Sequence, residues 1–139
     1  MARIERFEDI EAWQEARVLV KMVYELTAQE RFSRDYGLKD QIQRAAVSAM
    51  TNIAEGFDCE STTEFLRFLG IARRSTVEVQ SLGYTALDLK DVSSEQFATL
   101  YAQAAKTKGK IGGFMAYLRT YREAQSPKPA TPKAGTKKL

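Results

Sequence analysis

The sequence predicts an all-α protein: an antiparallel up-down four-helix bundle followed by a disordered basic C-terminal tail. Three observations predict it. Apolar residues recur at spacings of three and four through four long stretches, the period of a helix buried on one face. Serine-initiated capping boxes and breaks of a few residues punctuate those stretches, and connections that short join helices running in opposite directions. No stretch alternates with the period of two that a half-buried strand requires. The bundle is expected over residues 1–123 and the tail over residues 124–139.

The first helix is expected from about Asp9 to Gln29. Trp13, Ala16, Val20, Val23 and Thr27 fall on one face, with Glu11, Gln14, Lys21 and Glu25 on the other. Phe7 is placed to fold back on the first turn as a hydrophobic staple. After a break around Arg31–Ser33, the second helix runs to Glu55 with Leu38, Ile42, Ala45, Ala49 and Ile53 inward. Gly56 then stands where a left-handed C-terminal residue is wanted. Ser61-Thr62-Thr63-Glu64 and Ser93-Ser94-Glu95-Gln96 match the capping box and open the third and fourth helices. The third runs to about Lys90 on Phe65, Phe68, Leu69, Ala72, Thr76, Val79, Gly83 and Ala86. The fourth, Ser94 to about Arg122, turns Phe97, Leu100, Tyr101, Ala104, Ile111, Met115 and Leu118 inward. Gly109, Gly112 and Gly113 weaken its middle by about 1 kcal/mol each relative to alanine, and mark either close helix packing or a kink. Beyond Glu123, prolines 127, 129 and 132 alternate with Lys, Ala, Thr and Ser and no apolar period remains, the composition of a disordered segment.

The chain of 139 residues contains no histidine and one cysteine, Cys59. The commonest general base and the commonest metal ligand are therefore missing, and the thiol has no imidazole to activate it. A non-enzymatic protein without cofactor or metal is expected. The charged start and the lack of any long apolar run predict no signal peptide and no membrane association; with the lone thiol they predict a cytoplasmic location.

Net charge is +3, but residues 1–123 carry 17 basic against 18 acidic side chains, and the remaining four lysines lie in the tail. A local cluster of this kind is what a polyanion partner requires. Arg73, Arg74, Lys106, Lys110 and Tyr117 on outer helix faces, with Lys128, Lys133, Lys137 and Lys138 of the tail, are the candidate nucleic-acid contacts: cations for phosphate and an aromatic ring for stacking. A solvated helix face has the same pattern. Arg44, Ser48, Asn52 and Glu55 form one polar line at spacings of four and three, read as a structural network between helices or subunits.

The second and third helices are apolar on more than one side. Val47, Met50 and Phe57 lie off the inner stripe of the second, and Leu66, Val77 and Tyr84 form a second line on the third. These six residues are the candidate subunit interface, because a helix apolar on two sides usually meets two partners.

Several runs are similar to one family. Phe7-Glu8-Asp9-Ile10 with Trp13 and Ala16, Tyr36-Gly37-Leu38 with Gln41, Arg44-Ala45-Ala46-Val47-Ser48, and above all Asn52-Ile53-Ala54-Glu55-Gly56 resemble the four-helix-bundle proteins encoded in intervening sequences of 23S ribosomal RNA genes. Glu64-Phe65 and the stretch from Ile71 to Glu78 continue the resemblance, which spans about residues 7–121. It departs at Arg74, where the family often has a small residue, and the tail lies outside it. The resemblance implies a ring-like homopentamer. It also implies kinship with accessory proteins of diversity-generating retroelements, whose partners are RNA and a reverse transcriptase. The first expectation is thus a non-enzymatic oligomeric scaffold that binds RNA. The alternative is a protein–protein interaction scaffold, with a reverse transcriptase or other protein as partner and no nucleic acid.

Overall fold

The computed structural model describes residues 3–125, and every regular element among them is helical. After a single 3-10 turn at Phe7–Asp9 come α1 (Glu11–Thr27), α2 (Glu30–Ser33), α3 (Tyr36–Phe57), α4 (Thr62–Asp88) and α5 (Ser94–Gln125). Lys128, Lys133, Lys137 and Lys138, and with them nearly all of the expected tail, lie outside the described residues.

The start of each helix follows from local chemistry. Asp35 caps α3 by accepting from the Leu38 N–H. Ser61 Oγ accepts from the Glu64 N–H at 3.1 Å, but the Glu64 side chain turns to Arg67 instead of closing the box. The second box closes fully: Gln96 N–H donates to Ser93 Oγ at 3.1 Å and Ser93 N–H to Gln96 Oε1 at 2.9 Å. Phe7 packs edge-on against Trp13 with ring centroids 5.1 Å apart, the staple anticipated from the sequence.

Two expectations are corrected here. The break between the first two long helices is itself a helical turn, α2, and it drives Phe32 into the core with no exposed surface. Gly56 is not a left-handed terminator. It lies inside α3, and its missing side chain lets α4 approach. A Cβ there would fall 2.7 Å from Phe65 Cδ1 and 2.8 Å from Phe68 Cβ.

Each of the four long helices packs on two others: α3 on α1 and α4, and α5 on α4 and α1. Contacts pair rising with falling residue numbers. Gly56 meets Phe65 while Ser48 meets Ser75. Thr63 meets Arg122 while Gln80 meets Tyr101. The enclosed core has two apolar parts. One gathers Leu19, Val23, Phe32, Ile42, Val79 and Leu100; the other gathers Ile10, Ile53, Phe65, Leu69, Ile111 and Phe114. Along the helices, buried Ser75, Thr76 and Thr107 fall between the two parts. Each hydroxyl donates to a carbonyl of its own helix, of Ile71, Arg73 and Gln103 respectively, so no buried donor is left unmade there.

Candidate interaction surfaces

The basic residues do not form one face. Lys106 and Lys110 lie on the edge of α5 that meets α1, where acids occupy them. Lys106 Nζ is 3.4 Å from Glu15 and Lys110 Nζ is 2.9 Å from Glu11. Gln103 donates to both the side chain and the backbone carbonyl of Glu15 at 3.0 Å. The Gln103 hydrogen bond, aided by the charges of Lys106 and Lys110, holds the Glu15 carboxyl below its ordinary value against the effect of burial. The Glu11 hydrogen bond and charge raise the Lys110 ammonium. These two lysines thus tie α5 to α1.

Arg73 and Arg74 lie across the bundle on α4. Arg73 reaches toward α5, its guanidinium 3.9 Å from where a Gly112 Cβ would stand. Neither enters an ion pair among the described residues, and the exposed Lys108 and Arg119 on the α4-facing side of α5 do not either. Sequence reading passed over Lys108 and Arg119, because only the pairing pattern separates free cations from neutralised ones. Tyr117 is exposed and stacks on Phe114, centroids 6.1 Å apart.

The polar line divides. Ser48 Oγ and Ser75 Oγ are 2.9 Å apart across α3 and α4, and Asn52 Nδ2 donates to Ser48 Oγ at 3.0 Å. Arg44 turns away to Asp40 at 2.7 Å. Glu55 is exposed and its carboxylate meets no side-chain partner among the described residues. Cys59 donates weakly to the Glu55 carbonyl, 3.5 Å away. Among the described residues no group of three or more Cys, Asp or Glu side chains is placed to hold a metal ion.

The six candidate interface residues also separate. Leu66 is only 8% exposed, in the chain's own core beside Leu69 and Phe114, so it has little surface left for a partner. Met50 and Phe57 are half-buried against the same core part, and Val47 is half-buried on the outer side of α3. Val77 and Tyr84 are open, at 42% and 52% exposure. Tyr84 also packs on Phe97 and Tyr101 of α5, centroids 4.7 and 6.0 Å away, so three rings form one surface cluster. Tyr101, expected inward, is exposed like Tyr84, because Phe97 and Leu100 already fill the space beside Gly83. Gly109 and Gly113 of α5 do not serve packing within the chain: nothing lies within 4 Å of a Cβ built at either. With Ala98, Ala102, Ala105 and Ala116 they form an outward face that is exposed and has no long side chain.

Fold and surfaces define a small all-α helical protein in which a minority of the polar side chains join helix to helix and whose exposed faces are partly apolar. The particular family follows from the sequence: the chain belongs to the 23S rRNA-intervening sequence protein family, whose model matches residues 8–113. Among solved structures it is similar to a protein of unknown function from the S23 ribosomal protein family of Bacteroides thetaiotaomicron. The match has 16% identity and a TM-score of 0.69, over 75% of this chain and 97% of that one. That likeness shows the fold. No curated protein matches the chain. No helix among the described residues is long and apolar enough to cross a membrane.

Proposed function

We propose that this protein is an antiparallel up-down four-helix bundle that self-associates, as a pentamer by family resemblance, into a non-enzymatic cytoplasmic scaffold for RNA. The observation that carries the reading is the exposed apolar surface on α4 and α5. Val77, Tyr84 and Tyr101 stand open beside an outward α5 face made only of alanine and glycine. Surfaces of this kind are interaction sites more often than solvent faces. Small residues also let a second helix come close. RNA contact then falls to Arg73 and Arg74, joined by Lys108, Arg119 and the tail lysines, because Glu11 and Glu15 already hold Lys110 and Lys106. That same neutralisation favours one alternative, a scaffold for a protein partner such as a reverse transcriptase, with no nucleic acid.

One experiment separates these. Light scattering should report an oligomer at micromolar concentration, and Val77→Glu should dissociate it. RNA affinity should fall with dissociation, since several weak sites on one ring gain ~100-fold or more by acting together. It should also fall steeply with added salt, as phosphate contacts release counterions. A monomeric wild type would sink the assembly. A dissociated variant that binds RNA at full strength would sever binding from assembly, and no salt-dependent RNA binding at all would favour the protein partner.

A further inference from the structure

At the end of the molecule where α3 hands over to α4 and α5 finishes, four aromatic rings form a continuous row. Phe57 meets Phe65 edge-on with centroids 6.1 Å apart, Phe65 meets Phe114 at 5.5 Å, and Phe114 stacks on Tyr117 at 6.1 Å. These rings line an open groove of about 610 Å³, and Tyr121, one turn beyond Tyr117, extends it toward the end of α5. Tyr117 and Tyr121 are 42% and 50% exposed, so both rings keep much of their surface uncovered.

The same end carries acids without partners. Glu55, Asp58 and Glu60 flank Phe57 in sequence, are exposed, and enter no ion pair among the described residues. The cations Arg3 and Arg67 are already engaged, with Glu5 at 3.4 Å and Glu64 at 3.0 Å. Arg122 donates to Thr63 Oγ1 at 3.3 Å, which holds the last turns of α5 beside the α3–α4 turn. The chain therefore leaves α5, at Gln125, next to an aromatic groove and three acids.

The sequence that follows suits both. Ser126-Pro127-Lys128-Pro129-Ala130-Thr131-Pro132-Lys133 combines prolines with cations, and no acid appears through Leu139. Proline-rich chain is pre-set in an extended helix, loses little entropy on docking, and binds aromatic-lined grooves. Its length fits as well. Tyr121 and Tyr117 stand four and eight residues before Gln125, about 6 and 12 Å back along the helix. A Ser-Pro pair favours a turn, and extended chain then advances about 3.1 Å per residue. A reversal at Ser126 and Pro127 thus brings Pro129 to Pro132 level with the two tyrosines.

We propose that residues 127–133 of the same chain dock in this groove, with Pro129 and Pro132 on the Tyr121 and Tyr117 rings and the neighbouring lysines facing Glu55, Asp58 and Glu60. Neither assembly nor RNA binding is needed for this contact. It bears on the second, because lysines held by these acids must be lifted off before a polyanion can take them.

The test is NMR of the full chain. Nuclear Overhauser contacts should join the Pro129 and Pro132 rings to Tyr117 and Tyr121, and the Ala130 and Thr131 amides should lie away from random-coil positions. Tyr117→Ser with Tyr121→Ser should return both amides to random coil, with helical circular dichroism as the check on folding. A second variant, Glu55→Gln, Asp58→Asn and Glu60→Gln together, should move them part of the way, as should added salt in the wild type. Random-coil amides with no proline–tyrosine contact in the wild type overturn the proposal. So do displaced amides that the tyrosine variant leaves unchanged, since the segment would then bind elsewhere. In a refolded mixture of labelled and unlabelled chains, contacts found only between molecules overturn it too, because the groove would then hold a second copy's tail.

Discussion

Substituting Gly56 by alanine tests the reading that α3 and α4 are in contact through a missing side chain. Two effects oppose each other. Alanine improves the intrinsic helix propensity by about 1 kcal/mol. Against this, the new methyl carbon would sit 2.8 Å from Phe68 Cβ and 2.7 Å from Phe65 Cδ1. The Phe65 ring is an edge-on neighbour of both Phe57 and Phe114, at 6.1 and 5.5 Å, so it has little room to swing. The Phe68 Cβ is fixed to its backbone, so the helices themselves must part. Overpacking of a filled core costs about 1–3 kcal/mol, and a root atom as obstacle puts Gly56 at the upper end. The net expectation is a loss of about 2 kcal/mol, read as a fall of roughly 6–10 °C in melting temperature for a chain of this size. Circular dichroism at the helical band measures it, with Gly37→Ala as control. Gly37 is also inside α3, but no atom lies within 4 Å of its built Cβ. The control should be neutral or slightly stabilising. A Gly56→Ala variant as stable as the wild type would refute the close approach of α3 and α4.

Two further expectations rest on single residues. Lys90 holds a left-handed conformation at φ 63, one that costs a side-chain-bearing residue roughly 1 kcal/mol and glycine almost nothing, so Lys90→Gly should raise stability by up to about that amount in urea unfolding; a destabilised variant would mean the lysine side chain contributes something the turn geometry does not reveal. Glu15 has a lowered pKa from Gln103 and Lys106, so the stability it supplies is present above its ordinary value of 4.5 and is lost as pH falls through the lowered one; Glu15→Gln should therefore flatten the acid limb of the stability curve, and an unaltered limb would remove Glu15 from its causes.

The all-α class and the inner stripes were legible because helix periodicity is a local property, repeated many times along the chain. The serine caps at Ser61 and Ser93 were legible because a hydroxyl and a backbone N–H three residues on act within one turn, though only Gln96 closes its box while Glu64 is drawn off by Arg67. What sequence could not supply was the partner across the bundle. Lys106 and Lys110 look like free cations until α1 brings Glu15 and Glu11 beside them. Leu66 looks like outer surface until α5 supplies the core part around Phe114. Gly56 has two ordinary uses, as a terminator or as a point of close approach, and only the rings of α4 decide between them. Phe32 is hidden by its setting: a four-residue helix between polar neighbours has no period to read. Asp91 gives no signal at all, since an acid in a loop is unremarkable until its second oxygen is found buried.

The small hydroxyl-bearing residues between the two apolar parts of the core bear on how the molecule comes apart. Hydrophobic cooperation is carried by atoms in mutual contact, and at the waist that continuity is thin. The ends are joined there mainly by backbone running through and by hydroxyls bonded within their own helices. Opening one end forfeits chiefly that end's burial, so amide exchange should sort into two sets with separate protection, divided near Ala49, Thr76 and Thr107. A chain that unfolds by halves can loosen the end around Phe32 and the Asp91 turn while the end around Ile53 and Phe114 keeps its shape.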